Sequence, residues 1–339
     1  MMYNVTIGIP FYNAEKYLHD TLLSVLAQDY ESIEYLLLND CSTDGSVNVI
    51  RQLQQEHPRG RDIRVVSQPV NKGVGAARNR ILDEARGRYL FFMDADDLIR
   101  SDTISLLVST AEKHRAEVVM ASYERVEMYH ETPQHVKCQL PHRVFSGEHE
   151  LACFAFSSYG AVQATVANTL MELELIRTNR LRFIETNYWE DLAFKYTLVT
   201  YVTRAVLLSD ITYSYMCREQ SLSNFQKRDT IRKEEFLNNA ATLEQFKQPY
   251  KRLLGKPYFS GWLSFALQTD FYIVREALRS RKLITPSISD AELMGFFHSP
   301  LSLAETFRYG NARCCFFKLL GILPHQLGIL IIKVMSLRH

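Results

Sequence analysis

The sequence has no surplus charge, no paired cysteines and no apolar run long enough to cross a bilayer. Lys plus Arg number 39 against 38 Asp plus Glu in 339 residues. No global field therefore draws the chain to nucleic acid, and no basic patch with interleaved aromatics is present. The six cysteines (Cys41, Cys138, Cys153, Cys217, Cys314 and Cys315) form no CxxC pair and no framework spacing. Reduced thiols in a cytoplasmic protein are the expectation. The opening MMYNVTIGIPFYN lacks a basic region and an apolar region, so no secretion signal is expected. Near the other end, LLGILPHQLGILII is free of charge for only 14 residues and contains Pro324, too short and too broken to span a membrane. Internal repeats and low-complexity tracts are also missing. What remains is an ordinary globular composition, 47% hydrophobic and 23% charged, sufficient for one large core or two modest ones.

Within it, strand-like and helix-like segments alternate. Val5, Ile7 and Ile9 alternate up to Pro10, as a strand does. Asn13 is placed to cap a helix whose apolar face is Tyr17, Leu18, Leu22, Val25 and Leu26. IEYLLLND (33–40) is a near-continuous apolar run with a polar end, the pattern of a strand buried on both faces. A helix from about Gly45 to Gln55 follows, then strand 62–67, a Gly-rich helix start in 71–87 closed by Gly87, and buried strand 89–97. Ser101 is placed to cap helix 103–114, and 117–124 reads as a strand. Strands alternating with helices imply βαβ units and a mostly parallel sheet. Such sheets bind ligands beyond the carboxyl ends of their strands. The polar residues ending each run, Pro10 to Asn13, Asn39 to Asp44 and Asp94 to Asp97, should therefore meet on one edge.

After Tyr129 the pattern changes. Residues 130–142 read as a loop or hairpin, Ser146 begins a short helix, 161–167 is strand-like, 172–183 and 187–202 are helical, and 205–217 alternates as a strand. From Asp229 only helical patterns are found, at roughly 229–247, 257–281, 288–298 and 313–337.

Four stretches could carry chemistry. Asp94, Asp96 and Asp97 at a strand end suit a hard divalent cation that shares its sphere with phosphates; equally, Asp96 or Asp97 could cap the helix near Ser101. Asp40 in NDCSTDGS (39–46) could accept from a nucleobase or ribose, whereas ordinary turn chemistry needs no ligand and is the commoner case. NKGVGAARN (71–79) offers glycines before a helix N-terminus and a fork in Arg78, features that suit an anion, but it matches neither dinucleotide nor P-loop fingerprints. Glu190 and Asp191, beside Trp189 at a helix start, could supply a general base or only complement the helix dipole.

The order IPFYNAEKYL, LLNDCSTDGS, NKGVGAARN, FFMDADD and LRFIETNYWEDLAF resembles the family 2 glycosyltransferases of the GT-A fold, over roughly residues 3 to 225. The resemblance implies a Rossmann-like, mostly parallel sheet flanked by helices at 1–225, with a donor half about 1–125 and an acceptor half about 126–225. A helical region follows at 226–339. It implies a nucleotide-sugar donor, of the UDP class, held by Pro10, Tyr12, Asn13, Asp40, Asn71, Gly73, Arg78, Asp94, Ala95, Asp96 and Arg218, the last with Ser221 and Ser223. It implies Mn²⁺ or Mg²⁺ on Asp94 and Asp96, with Asp97 as a third candidate, and Asp191 as catalytic base with Glu190 beside it. Trp189 would meet the acceptor, a saccharide or lipid-linked saccharide. One displacement at the anomeric carbon would invert its configuration. The chain departs from the family pattern at Asn39, where a second Asp is usual; at Cys41 and Ile81, where Gly is usual; and at Thr169, where Lys is frequent.

The rival readings are a sugar nucleotidyltransferase, which would need a Gly-rich loop with Arg after the first strand, and an inactive scaffold of the same fold. A bacterial surface polysaccharide is the expected product. The C-terminal helices, apolar with Lys and Arg at their edges, suggest either packing and homodimer formation or peripheral contact with the inner face of the plasma membrane.

Overall fold

The computed structural model describes residues 3–129, 132–218 and 229–336. Within these, 3–151 with 162–218 form one compact unit and 152–161 with 229–336 a second. The expected boundary at 225 lies outside the described residues.

The first unit runs β1 (Val5–Phe11), α1 (Glu15–Leu26), β2 (Ile33–Asn39), α2 (Ser46–Glu56), β3 (Ile63–Ser67), α3 (Val74–Glu84), β4 (Tyr89–Phe92), β5 (Leu98–Ile99) and α4 (Thr103–His114). It continues with β6 (Val118–Glu127), β7 (Gln134–Cys138), β8 (Arg143–Phe145), the start of α5 (Glu150–Ala155), whose residues from Ala152 belong to the second unit, β9 (Thr169–Glu172), α6 (Leu173–Thr178), α7 (Glu190–Leu198) and β10 (Ala205–Cys217). One sheet holds all ten strands in the order β3-β2-β1-β4-β9-β6-β10-β5, with β7 on β6 and β8 on β10.

The sheet is parallel from β3 to β4, as the βαβ pattern requires. Beyond β4 it is mixed, because β9 runs antiparallel to both β4 and β6. The sequence pattern predicts a strand at 161–167 and a helix across 172–183. The strand is instead β9, and helix occupies only 173–178. The four-residue run TLME is buried on both faces at three positions and so shows no alternation to read.

Alternation along β1 sorts its two faces. Val5, Ile7 and Ile9 join Leu18 and Leu22 of α1 in the core, all fully buried. On the other face lie Thr6 and Gly8. A Cβ at Gly8 would stand 2.6 Å from the Ile81 Cγ2 of α3. The bulk at 81, where the family pattern has glycine, is thus accommodated by a glycine on the facing strand.

Three capping expectations are corrected, each because a neighbouring element supplies the acceptor. Asn13 does not cap α1. Its Oδ1 accepts from Thr43 N at 2.8 Å, while Ser46 Oγ and Asp44 Oδ2 accept from Ala14 N and Glu15 N. Ser101 does not cap α4, which is preceded by Asp102, and Oε1 of Gln28, just past the end of α1, accepts from Ile104 N at 3.0 Å. Neither Asp96 nor Asp97 caps it. Strand β4 stops at Phe92, so the aspartates sit in the turn before β5 rather than on the strand itself.

The second unit is helical except for one short pair. Its elements are β11 (Ile231–Arg232), α8 (Lys233–Lys247), α9 (Tyr250–Leu253), α10 (Phe259–Arg279), β12 (Ile284–Thr285), α11 (Asp290–Gly295), α12 (Leu303–Tyr309), α13 (Ala312–Gly321) and α14 (His325–Ser336). β11 and β12 pair in parallel, a feature that two-residue strands cannot announce in sequence. The single helix expected over 313–337 is two helices, broken just before Pro324, which cannot continue a helix. No helix among the described residues is long and apolar enough to cross a membrane.

Gly8→Ala should lower stability by about 1–3 kcal/mol through overpacking against Ile81. In an Ile81→Ala background the same change should cost nothing. Urea unfolding of the double-mutant cycle measures this coupling, and additive effects would contradict the packing described.

Candidate active site

Parallel register brings the ends of β1, β2 and β4 to one edge: Phe11 stands opposite Asn39, and Gly8 opposite Phe92. The three polar termini do meet there. Asp40 N donates to Phe11 O at 2.9 Å. The aspartate turn is held beneath by Thr21 of α1, whose hydroxyl donates to Ala95 O at 3.1 Å and Asp97 O at 2.9 Å.

The three aspartates have different surroundings. Asp97 is buried, 1% exposed. Its Oδ2 accepts from the Tyr213 hydroxyl at 2.6 Å and its Oδ1 from Met216 N at 2.8 Å, both on β10. Burial, then the charges of Asp94 and Asp96, push its carboxyl well above the ordinary range. Asp97 thus ties the turn to the sheet and has no oxygen turned to solvent, unlike a metal ligand. Asp94 and Asp96 are partly exposed. Asp94 Oδ1 accepts from Arg78 Nη2 at 2.9 Å, and Asp96 Oδ2 from Arg218 Nη1 at 2.7 Å. Partial burial and then Asp94's charge raise Asp96. Asp94 Oδ2 and Asp96 Oδ1 carry no hydrogen bond among the described residues. Among those residues no group of three or more His, Cys, Asp or Glu is placed to hold a metal. Two carboxylate oxygens are therefore what the protein offers, a set that suits Mg²⁺ or Mn²⁺ when phosphate and water complete the sphere.

Arg78 on α3 was expected at a phosphate. The structure buries it, 4% exposed, between Asp94 and Glu190, its other nitrogen Nη1 donating to Glu190 Oε1 and its guanidinium 5.7 Å from the Phe183 ring. Burial alone would lower its pKa; the charges of Asp94, Glu190 and Asp191 outweigh it and raise it. Glu190 is 5% exposed, and burial followed by Asp191's charge pushes it to about 7. Glu190 thus anchors α7 to Arg78, while Asp191 makes no direct bond to that guanidinium and accepts from Leu192 N at 2.7 Å. Asp191 is partly buried, and burial raises its pKa while Arg78 opposes the shift. Trp189 precedes the Glu190–Asp191 pair in the left-handed region, φ 58°, a costly conformation for a bulky residue that aims the start of α7.

Two further expectations change. Asp40 is buried, its Oδ1 accepting from Gln68 Nε2 at 2.8 Å and Lys72 N at 2.9 Å, and its Oδ2 from Gly73 N at 2.8 Å. It organises the 68–73 loop. The start of α3 is not an open anion site either, since Val74 N donates to Asn187 Oδ1 at 3.0 Å and Gly75 N to Thr186 O at 3.3 Å. Gly73, at φ 87°, and Gly75 are glycines because segment 184–187 crosses here, with Asn187 and Ile184 O where a Cβ would sit. Asn71 is exposed beside this loop and accepts from Gly73 N through its side chain at 3.2 Å. Pro10 is buried within β1, whereas Tyr12 is 50% exposed just past its end.

Cys41 lies at φ 63°, which explains the glycine usual there. Asn39 Oδ1 closes the turn on Ser42 N at 2.8 Å, a job either amide or carboxylate oxygen can do. Arg218 lies over the Tyr17 ring, 3.8 Å from its centroid, as well as on Asp96. Ser221 and Ser223 lie outside the described residues.

Sequence reading missed Lys195, fully buried one turn beyond Asp191. Its ammonium donates to Thr169 Oγ1 and to Thr165 O at 3.2 Å, so a cation reaches Thr169 from the next helix. The available signal was a lone lysine within LAFKYTLV. Burial pushes Lys195 down to about 7, against the pull of Asp191.

Comparison with known proteins agrees with the motif reading. Residues 6–154 match the family described as Glycosyl transferase family 2. A Bacillus subtilis protein described as putative teichuronic acid biosynthesis glycosyltransferase TuaG is 39% identical over 100 residues, 30% of this chain and 38% of that protein. The matched stretches span less than two fifths of the length of such curated relatives. Staphylococcus aureus TarS 1–349, solved in complex with UDP-GlcNAc, superimposes with a TM-score of 0.56 at 18% identity, covering 96% of this chain and 92% of that one. The mannosyltransferase PcManGT from Pyrobaculum calidifontis, solved with GDP-Man and Mn²⁺, gives 0.50 at 16% identity, covering 98% and 87%. The fold is the GT-A fold, a mixed sheet flanked by helices with a helical C-terminal region.

A depressed lysine stays charged in the unfolded chain up to its ordinary pKa near 10.5 but loses its proton in the folded protein above about 7. Stability should therefore rise with pH between about 7 and 10.5, and be lost as pH falls through 7. Lys195→Met should flatten that rise in urea unfolding at stepped pH; an unchanged slope would contradict the burial described.

Proposed function

We propose that this chain, whose residues 6–154 match family 2, is an inverting glycosyltransferase that moves a sugar from a UDP-sugar to an acceptor hydroxyl in a bacterial surface polysaccharide. The observation that carries the reading is the Arg78 clamp. One buried guanidinium joins the turn that would face the donor's diphosphate to the helix that bears the base. Reaction geometry requires those two parts to keep a fixed distance. The nucleotide-sugar complexes of TarS and PcManGT support the donor class, and the name of TuaG supports the destination.

Asp94 and Asp96 would hold Mg²⁺ or Mn²⁺, as the two unengaged oxygens allow. When bound, the cation neutralises the diphosphate and so improves the leaving group. Arg218 meanwhile occupies Asp96 and shields it from Asp94, and its guanidinium is positioned to transfer to the diphosphate. Exposed Tyr12 offers a face for the base, flanked by Asn13. Asp40 acts indirectly in this reading, holding Asn71 and Gly73 in place. Asp191, its proton affinity raised by burial, removes the proton from the acceptor hydroxyl. Trp189, two residues before Asp191 at the start of α7, gives the acceptor ring a surface to stack on. Attack opposite the leaving group inverts the anomeric carbon. Glu190 holds Asp191 in line through Arg78.

UDP-sugars should raise the melting temperature of the wild type only with Mn²⁺ present, and Asp96→Ala should remove that shift. A shift without metal would contradict the role of the turn. Asp191→Asn should keep the shift while transfer falls by on the order of 10²–10⁴; retained transfer would exclude it as the base.

A further inference from the structure

Residues 306–339 contain Arg308, Arg313, Lys318, Lys333 and Arg338 and neither Asp nor Glu. The chain as a whole, with 38 acids in 339 residues, would place about four there. The near-neutral total conceals a strongly one-signed segment.

The same segment keeps an apolar face out of the core. On and just past α13, Phe316, Leu319 and Ile322 are 39%, 42% and 61% exposed. On α14, Leu327, Leu330 and Val334 are 45%, 56% and 51% exposed. Spacings of three and four place each set on one side of its helix. The opposite sides are buried, through Phe317 and Leu320 on α13 and Ile329 and Ile332 on α14. Each helix is therefore apolar on two sides and uses only one within its unit. Such exposure in a soluble surface marks a contact still to be made.

Between α10, α13 and α14 lies a cavity of about 470 Å³, walled by Phe271, Tyr272, Phe317 and Met335 and bearing Arg275 and Arg313. Arg275 lies over the Tyr272 ring at 4.6 Å, and its Nε is buried without a hydrogen-bond partner. An apolar cavity with two guanidinium groups matches an amphiphile with an anionic head.

We propose that α13 and α14 lie in the surface of an anionic phospholipid bilayer, with a lipid head group and the start of its chain in this cavity. Neither helix can span, so contact is in the interface plane. Cationic side chains beside an apolar stripe meet both requirements of that surface at once, attraction to the head groups and burial among the chains. A second copy is a poorer partner, since a two-fold contact would set the cations of α13 and α14 against their own copies, while neither helix carries an acid.

Vesicle flotation of the full chain, without donor or metal, tests this independently of transfer. Recovery with equimolar phosphatidylcholine and phosphatidylglycerol should exceed that with pure phosphatidylcholine by about tenfold, and should fall in about 0.5 M NaCl. Ile322→Glu and Leu330→Glu should each reduce it about tenfold with melting temperature unchanged, because both side chains are exposed. Arg275→Gln should weaken binding to anionic vesicles alone. No flotation on anionic vesicles, or equal flotation of the two glutamate variants, would overturn the proposal. So would a dimer in light scattering that the same substitutions dissociate, which would give the face to a second copy.

Discussion

The site depends on one buried guanidinium. Arg78 reaches from α3 to Asp94 on one side and Glu190 on the other, and these belong to parts of the chain almost 100 residues apart. A charge so placed is stable only while both partners remain. Removing one partner of a buried pair usually costs about 3–5 kcal/mol, because the survivor is left unpaired in a poor solvent. The clamp therefore makes the aspartate turn and α7 one object, and it explains why Gly73 and Gly75 lie under segment 184–187. Close approach there is what lets Arg78 reach α7.

Around the clamp, neighbouring carboxylates are assigned different work by their surroundings. Asp97 faces Tyr213 and the backbone of β10 and holds the turn. Asp94 and Asp96 each give one oxygen to an arginine and keep one toward solvent. Glu190 is spent on the clamp, whereas Asp191, next in sequence, is not. Like charges this close repel, and the cationic partners Arg78 and Arg218 offset that in the free protein. A divalent cation would relieve what they leave. The chain's departures from the family pattern follow the same logic of compensation: Gly8 makes room for Ile81, and Lys195 brings an amino group to Thr169 from a helix rather than from the strand.

Much of this was legible in order and type. The buried runs of β1 and β2, the helices between them and the long alternation of β10 have periods that only one local structure satisfies. Five motifs in register carried the resemblance to family 2 and marked the edge of the sheet where the acids collect. β9 was not legible, being four residues long and buried, nor were β11 and β12. Cap assignments failed where the acceptor came from another element, as with Gln28 for α4 and Asp44 for α1, since spacing along one helix carries no record of its neighbours.

What the sequence by itself determined is the set of chemical groups and the edge to which parallel strands deliver them, because side-chain period and βαβ connection are local rules. Only the tertiary structure decided what each group does there. Whether Asp97 meets a metal or a tyrosine, and whether Arg78 meets a phosphate or two carboxylates, turns on burial and on partners brought from distant segments. Those partners set both the charge each group can carry and the oxygens it has left to offer.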